Sequence, residues 1–308
     1  MDDKIMLLEK MRKKAEAALL LAAAISVGIS AALFITIRSL TSSAAGIIIS
    51  VIAGMLLFLL FSKTGNCNRR VKDYKDNFKA VLVAEPFENE FGEIIFHPDT
   101  GFDKEVLDRT DMIRLGNRYF SNDYIKGSYK SIPFERADVL IQQRVQTGKS
   151  SSTITLFRGR WLIFDFNKEF HFDLQIVTKD FKNPQKNSNF FTDAQERRHR
   201  IEMEDVNFNT LFHIYGQDDH EAFYILTPAM MEILKNMAET IDGEFMLGFV
   251  NHQLHVAINT DRDAMEPSIF SEIDPAAVQY DVQRETDVIK NMINSLKLDV
   301  DIFKNRGE

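Results

Sequence analysis

Two long apolar segments open the chain, at residues 15–37 and 44–61. A short polar stretch, Arg38-Ser39-Leu40-Thr41-Ser42-Ser43, separates them. A helix needs about 20 apolar residues to cross the hydrocarbon core of a bilayer, and each segment is close to that length or longer. A bilayer offers no water to the backbone, so inserted segments of this kind must be helical. The pattern predicts a two-helix transmembrane hairpin over residues 15–61.

The orientation of the hairpin is predicted by the Lys and Arg residues close to its ends. These residues cluster before the first segment and after the second: Lys4, Lys10, Arg12, Lys13, Lys14, Lys63, Arg69, Arg70, Lys72, Lys75 and Lys79. The connecting loop carries Arg38 alone. The pattern predicts a multi-pass protein of the inner (cytoplasmic) membrane with both termini cytoplasmic. A cleaved signal peptide fits less well, because its apolar centre has only about 7–15 residues. Buried helices of a soluble protein would show a polar face, which neither segment has.

A helical pattern continues after the second apolar segment. Val71, Tyr74, Phe78 and Val81 recur at helical spacing, and Glu85-Pro86 disfavours continuation of the helix. The pattern predicts an amphipathic juxtamembrane helix that connects the anchor with the rest of the chain. The predicted domains are a cytoplasmic N-terminal tail (1–14), the hairpin (15–61, with spans 15–37 and 44–61), the juxtamembrane helix (62–84) and a cytoplasmic domain (85–308).

Strand patterns with short turns dominate the next part of the chain. The predicted strand pairs are Tyr124–Tyr129 with Ile132–Val145, Thr153–Phe157 with Arg160–Phe166 around an Arg158-Gly159 turn, Leu211–Tyr215 with Ala222–Leu226, and Phe245–Val250 with Leu254–Ile258. A helix should begin at Thr227-Pro228, with Thr227 as its cap. Another helix is predicted over Pro275–Leu298. Consecutive hairpins indicate an antiparallel sheet, so the predicted fold is α+β: a transmembrane hairpin followed by a mostly antiparallel sheet domain with flanking helices.

Acidic residues outnumber basic ones in the predicted domain. The chain of 308 residues has 37 basic and 45 acidic residues. Residues 1–80 hold 12 of the basic and 6 of the acidic residues, which leaves 25 against 39, or −14, for residues 81–308. Nucleic acids and cytoplasmic leaflets are polyanions, so this part should be repelled by both. No nucleic-acid partner is expected.

Four residues are candidates for chemistry: Asp165, Asp218, Asp219 and His220. Asp218-Asp219-His220-Glu221 is the densest cluster of ligand-type side chains, and carboxylates with His could hold a divalent cation or act as acid and base. The same residues are also typical of a turn between strands. Asp165 lies in an aromatic strand pattern, where a carboxylate is either a buried acid with a shifted pKa or a cap at the strand end.

Other patterns argue against a cofactor or a metal. Gly148-Lys149-Ser150 lacks the earlier Gly of a phosphate-binding loop, because that position is Gln143. His252 and His255 would face the same way only on a helix, and here they fall on a hairpin without a third ligand nearby in sequence. Cys67 is the only cysteine, so no intrachain disulfide can form.

Five short motifs resemble one bacterial family, the membrane-anchored domain of unknown function 3137. They are Asn122-Asp123-Tyr124-Ile125-Lys126-Gly127, Phe157-Arg158-Gly159, Asp165-Phe166-Asn167-Lys168-Glu169-Phe170, Tyr224-Ile225-Leu226-Thr227-Pro228 and Glu266-Pro267-Ser268-Ile269-Phe270. Together with the hairpin, the resemblance covers most of the chain. It implies a bacterial inner-membrane protein with a cytoplasmic domain. The family has no assigned activity, so the resemblance supplies no catalytic residue.

The sequence therefore favours a non-enzymatic role. We expect a membrane-anchored cytoplasmic binding or scaffold module, with the lipid bilayer and a protein as its partners. The alternative is a membrane-bound hydrolase that uses Asp218, Asp219, His220 and Asp165, which requires those side chains to converge around a pocket.

Overall fold

Helices form the first part of the chain, and a sheet with flanking helices forms the second. The computed structural model describes residues 2–40, 45–63, 65–148, 150–165, 173–181, 198–250, 252–261 and 265–295. Lys149, residues 166–170 of one family motif and residues 296–298 of the predicted last helix lie outside the described residues. The chain divides into two units, Met1–Pro86 with Met265–Tyr280, and Phe87–Ala264 with Asp281–Glu308.

The first unit is built from long helices. They are α1 (Asp2–Leu40), α2 (Ala45–Lys63) and α3 (Gly65–Lys79), followed by a π-helical turn (Ala80–Ala84) and the start of α4 (Glu85–Phe91). The 39 residues of α1 extend over about 58 Å at about 1.5 Å per residue. Residues 2–14, predicted as a tail, are the first turns of this helix. Among the described residues, one helix is long and apolar enough to cross a membrane, Asp3–Ile37 of α1, and the apolar stretch Ile48–Leu60 of α2 is shorter.

The first turns of α1 and helix α3 share a small hydrophobic core. Leu8 and Ala15 of α1 pack with Tyr74 and Phe78 of α3 and with Leu82. The apolar side chains around them belong to both helices and to the later segment: Met11, Val71, Val81, Ile269, Ile273 and Val278. The helical spacing of Val71, Tyr74 and Phe78 in the sequence thus reflects burial against α1.

The second unit contains an antiparallel sheet of nine strands within the described residues. The strands are β1 (Ile95–His97), β2 (Arg118–Tyr129), β3 (Ile132–Thr147), β4 (Ser150–Asp165), β5 (Leu174–Thr178), β6 (His199–Ile201), β7 (Phe212–Gly216), β8 (Glu244–Val250) and β9 (Gln253–Asn259). Their order in the sheet is β1-β2-β3-β4-β9-β8-β5-β7-β6. The remaining helices are α5 (Lys104–Asp108), α6 (Val206–Leu211), α7 (Asp219–Ile225), α8 (Pro228–Thr240) and α9 (Pro275–Ser295). The predicted α+β class with a mostly antiparallel sheet is confirmed.

The two faces of the sheet differ because side chains alternate along each strand. On one face Ala137, Trp161, Ala257 and Met246 lie in register across four strands, and the segment between β1 and β2 packs there through residues such as Met112. The other face carries charged side chains from β3 and β4, among them Arg136 and Arg160.

The predicted turn at Arg158-Gly159 is wrong. β4 runs without a break from Ser150 to Asp165, and its pairing with β3 shifts register at Leu156, which is an extra residue in a bulge. Gly159 is paired with Asn259 of β9, and a Cβ atom at this position would collide with the carbonyl oxygen of Ile258. The glycine is therefore explained by the close approach of a neighbouring strand and not by a turn.

The predicted strand Ala222–Leu226 is also wrong, because these residues belong to helix α7 and its end. By contrast, the hairpins β2–β3 and β8–β9 form as predicted. Helix α8 begins at Pro228, and the Thr227 hydroxyl accepts a hydrogen bond from the amide of Met230. The Thr227 cap and the short turns of these two hairpins are thus confirmed.

Candidate functional site

The acidic cluster after β7 starts a helix. Asp218 is the N-cap of α7, and its Oδ1 accepts hydrogen bonds from the amides of His220 (2.7 Å) and Glu221 (3.3 Å). Capping satisfies amides that have no partner inside the helix. Asp219 contacts Nε2 of His199 at 2.6 Å, and both side chains are about half exposed. The prediction of a simple strand-to-strand turn is corrected to a helix start.

Asp165 lies at the end of β4, far from that cluster. Its Oδ1 accepts a hydrogen bond from Nε2 of Gln253 at 3.2 Å. Strands β9, β8 and β5 lie between β4 and β7, so four strand spacings of about 4.8 Å put roughly 19 Å between Asp165 and the residues that follow β7. Acid–base partners need contacts of about 3 Å. The structure does not bring Asp165 together with Asp218, Asp219 and His220.

The histidines of the β8–β9 hairpin do not come together either. His252 is exposed in the turn, whereas His255 is buried on β9. Nδ1 of His255 accepts a hydrogen bond from Nε1 of Trp161 at 3.2 Å. Within the described residues, no three His, Cys, Asp or Glu side chains are grouped so that they could hold a metal ion.

Burial of His255 gives the stability of the protein a predictable pH dependence. Desolvation lowers the pKa of His255 from 6.5 to about 4. Between these values the unfolded chain binds a proton that the folded chain excludes. The contribution of His255 to the free energy of unfolding is therefore fully present above about pH 6.5. It is lost as the pH falls towards 4, by about 3 kcal/mol in total.

Replacing His255 by Gln should remove this contribution, because Gln does not titrate. We expect the stability difference between wild type and His255→Gln to change by about 3 kcal/mol between pH 7 and pH 4. Denaturant unfolding followed by the fluorescence of Trp161, the single tryptophan, measures it. His220→Gln, at an exposed position, is the control. A pH-independent difference for His255→Gln would contradict the assignment.

The charged face of the sheet holds a buried ionic cluster. Arg136 is fully buried and its Nη2 contacts Asp138 Oδ1 at 2.7 Å and Glu285 Oε2 at 3.5 Å. Nη1 of Arg160 contacts the other oxygen of Glu285. Two arginines and two carboxylates from β3, β4 and α9 thus neutralise one another with exposures of 7% or less. Because these side chains are buried, a substrate cannot reach them. Their ion pairs hold α9 on the sheet.

The sequence motif at residues 122–127 belongs to this cluster. Asp123 lies in a bulge of β2 with φ at 55°, and its carbonyl oxygen accepts a hydrogen bond from Nη1 of Arg136 at 3.3 Å. Asn122 donates to the Asp123 carboxylate at 2.7 Å. The bulge therefore places the carbonyl oxygen of Asp123 where it can accept a hydrogen bond from the buried guanidinium of Arg136.

A second polar site lies on the first unit, where residues 265–273 dock on the helices. We call these residues the docked segment. Arg12 of α1 is 3% exposed. Its guanidinium donates to Glu9 at 3.0 Å, to Glu16 at 2.8 Å and to the carbonyl oxygen of Ile269 at 2.8 Å. The Ile273 amide donates back to Glu9 at 3.4 Å. Arg12 therefore links α1 to the docked segment.

Helix α3 holds the other side of the docked segment. The hydroxyl of Tyr74 donates to the carbonyl oxygen of Ser268 at 3.0 Å, and burial raises the pKa of Tyr74 to about 12, so it remains a donor at neutral pH. Glu266 is paired with Lys75 and, at 3.1 Å, with Lys79. Burial by itself would raise the pKa of Glu266, but the two ammonium groups lower it below its usual value. Glu266 is therefore ionised at neutral pH.

The Glu266–Phe270 motif is visible in the sequence, but its contacts are not. Arg12 and Ile269 are 257 residues apart, and no local pattern connects them. In the sequence Arg12 resembles the neighbouring lysines that precede the apolar segment, and only the structure shows that it is buried. The motif therefore docks on α1 and α3.

Comparison with known proteins agrees with the motif analysis. Residues 155–298 match the model of the family DUF3137, a protein of unknown function. Four of the five motifs lie inside this match, and residues 122–127 lie before it. None of the curated proteins matches the chain. The crystal structure of the mycobacterial trehalose monomycolate transport factor A, TtfA, is similar over 70% of this chain and 94% of that chain, with 8% identity and a TM-score of 0.34. The resemblance drawn from the motifs is confirmed for residues 155–298, which match the DUF3137 family model.

Proposed function

We propose that this protein is a membrane-anchored binding module. In this proposal α1 and α2 cross the membrane as a hairpin, both termini are cytoplasmic, and the sheet unit binds a protein partner at the inner membrane. The observation that carries it is the apolar surface of the two helices. The acidic balance of residues 81–308 disfavours nucleic acid as the partner.

Large apolar side chains cover the described parts of both helices and are 37–68% exposed. They are Leu20, Leu21, Ile25, Val27, Ile29, Leu33, Ile35, Ile48, Ile49, Val51, Ile52, Met55, Leu56, Leu59 and Leu60. Soluble proteins rarely expose contiguous apolar patches beyond a few hundred Å². Such a surface is stable in lipid, so these faces support insertion of both helices.

Small residues between the two helices support the hairpin. A Cβ atom on Gly54 of α2 would collide with Oγ of Ser30 of α1, so the two backbones approach closely there. The hydroxyls of Ser26 and Ser30 donate to the carbonyl oxygens one turn earlier, both at 2.7 Å. This satisfies both polar groups inside an apolar environment. Gly54, Ser26 and Ser30 thus fit packing of the two spans on each other.

The hydrolase alternative receives no support from the geometry. Asp165 and the Asp218 cluster are separated by about 19 Å of sheet. The carboxylate of Asp218 is also occupied by helix capping. We therefore propose binding and not catalysis.

Topology reporters on the full chain test the proposal. A cytoplasm-active reporter at the C-terminus should be active, and a reporter that works only outside the cytoplasm should be active when it is inserted between Leu40 and Ala45. The matched control carries the second reporter at the C-terminus, where it should be silent. Activity of that reporter at the C-terminus would refute the orientation, and extraction of the protein by alkaline carbonate would refute the anchor.

In-cell cross-linking of the full chain, with exposed positions of the sheet unit as attachment sites, tests the binding role. We expect a reproducible protein adduct that depends on the sheet unit and persists when the fusion tag is changed. Adducts at the same level from a protein that retains only residues 1–86 would contradict a binding role for the sheet unit.

A further inference from the structure

A groove along the first turns of α1 is not explained by the anchor or by the docked segment. It has a volume of about 760 Å³ and lies within the first unit. Its lining residues are Ile5, Met6, Glu9, Lys10, Lys13, Lys14, Ala17 and Pro275. Met6, Lys10, Lys13 and Ala17 are spaced by three or four residues, so they share one helix face. That face is opposite to Leu8, which is buried against α3.

The charge of the groove is strongly positive. Lys10, Lys13 and Lys14 are exposed, and in the described part of the chain they form no ion pair, although Lys13 interacts electrostatically with Glu9. The one carboxylate that lines the groove, Glu9, is already bonded to Arg12 through both oxygens at 3.0 Å. Like charges three or four residues apart on a helix repel one another. An anion in the groove would relieve this repulsion.

The position of the groove selects the kind of anion. Lys13 and Lys14 immediately precede the apolar segment that begins at Ala15, and Ala17 continues the groove along that segment. A ligand with its phosphate at the lysines would place an attached acyl chain along the apolar part of α1. A soluble phosphate would not use this extension.

We propose that the groove binds the headgroup of an anionic phospholipid of the leaflet next to the N-terminus. Lys10, Lys13 and Lys14 contact the phosphate, and the acyl chain follows the helix beyond Ala17. This inference rests on the proposed membrane anchoring, because only an inserted α1 brings the lysines to the headgroup level. The groove gives the anchored protein selectivity for one class of lipid.

The test compares two triple variants of the full chain. Lys10→Gln/Lys13→Gln/Lys14→Gln removes the groove charges. Arg69→Gln/Arg70→Gln/Lys72→Gln removes three exposed charges from α3, close to the second apolar segment and outside the groove. The purified proteins are titrated with phosphatidylglycerol and with phosphatidylcholine in neutral detergent, and bound lipid is counted by native mass spectrometry.

A lysine near an anionic lipid surface contributes about 1 kcal/mol, so the groove variant should bind phosphatidylglycerol at least about tenfold more weakly. The α3 variant should bind like wild type, and phosphatidylcholine should bind weakly to all three proteins. Equal losses in both triple variants would reduce the effect to general surface charge and overturn the proposal. Unchanged binding in the groove variant would overturn it as well.

Two further measurements distinguish a failure of the lipid proposal from a failure of the membrane anchor. If inorganic phosphate at millimolar concentration displaces the lipid completely, the groove is a phosphate site and the lipid assignment is wrong. Resistance of the same proteins to alkaline carbonate reports the anchor independently. A groove variant that stays in the membrane without lipid preference would refute this inference alone, whereas extraction of the wild type would refute the anchor beneath it.

Discussion

Replacing Glu285 by Leu is expected to lower the free energy of unfolding by about 3–5 kcal/mol. Glu285 is 2% exposed, and its carboxylate is shared by Arg160 and Arg136. Without it, Arg160 would keep a buried positive charge with no carboxylate partner among its described contacts. Equilibrium unfolding of the full chain in mild detergent, followed by the fluorescence of Trp161, measures the change. Trp161 is suitable because it is fully buried in the sheet on the strand that carries Arg160.

A double variant separates the charge effect from lost packing. In Arg160→Met/Glu285→Leu both ends of that ion pair are removed together, and Arg136 keeps its contact with Asp138. Replacing a buried ion pair by apolar side chains is often nearly neutral, so the double variant should recover most of the stability. Asp287→Leu on the same helix, where the side chain is 47% exposed and paired with Lys290, should cost less than about 1 kcal/mol. A loss for Glu285→Leu no larger than for Asp287→Leu would contradict the role of the cluster.

The sequence predicted elements that depend on neighbours along the chain. The helix that begins after Thr227 follows from its cap and proline, and the hairpins follow from alternation and short turns. The helix at Asp218 was missed although a signal was present: an Asp cap followed three residues later by Glu221 resembles a capping box. The β-forming side chains of residues 222–226 favoured a strand, and the cap together with tertiary packing overrode that preference.

Features that depend on distant parts of the chain were not predictable in this way. In the sequence Gly159 resembles a turn residue. In the structure the β4–β9 pairing places the backbone of Ile258 directly beside it. The charges of Arg136, Arg160 and Glu285 appear in the sequence as ordinary surface residues, because only the register of β3 and β4 and the docking of α9 bring them together. The same holds for Arg12 and Ile269, whose contact joins the first and last thirds of the chain.

Replacing Arg12 by Met should release the docked segment, residues 265–273, from the helices. Met preserves the length and the apolar packing of the side chain, but it leaves Glu9, Glu16 and the carbonyl oxygen of Ile269 without their buried donor. Breaking a buried charge pair from one side costs about 3–5 kcal/mol. This should speed hydrogen exchange in the segment by about a hundredfold or more if the segment opens locally. Hydrogen exchange of peptides covering residues 265–280, measured on the full chain, gives the result directly.

Two matched variants define how that result is interpreted. Tyr74→Phe removes a single neutral hydrogen bond to Ser268 and should accelerate exchange only about fivefold, in line with about 1 kcal/mol. Arg69→Met removes an exposed charge of α3, 3.8 Å from Asp73, and should leave exchange unchanged. The order Arg12→Met, Tyr74→Phe, Arg69→Met is therefore the expected ranking. If Arg12→Met exchanges like Arg69→Met, the docked segment is held by its other contacts, namely the Tyr74 hydrogen bond, the Glu266 ion pairs and the apolar packing, and the buried guanidinium is not what fixes it.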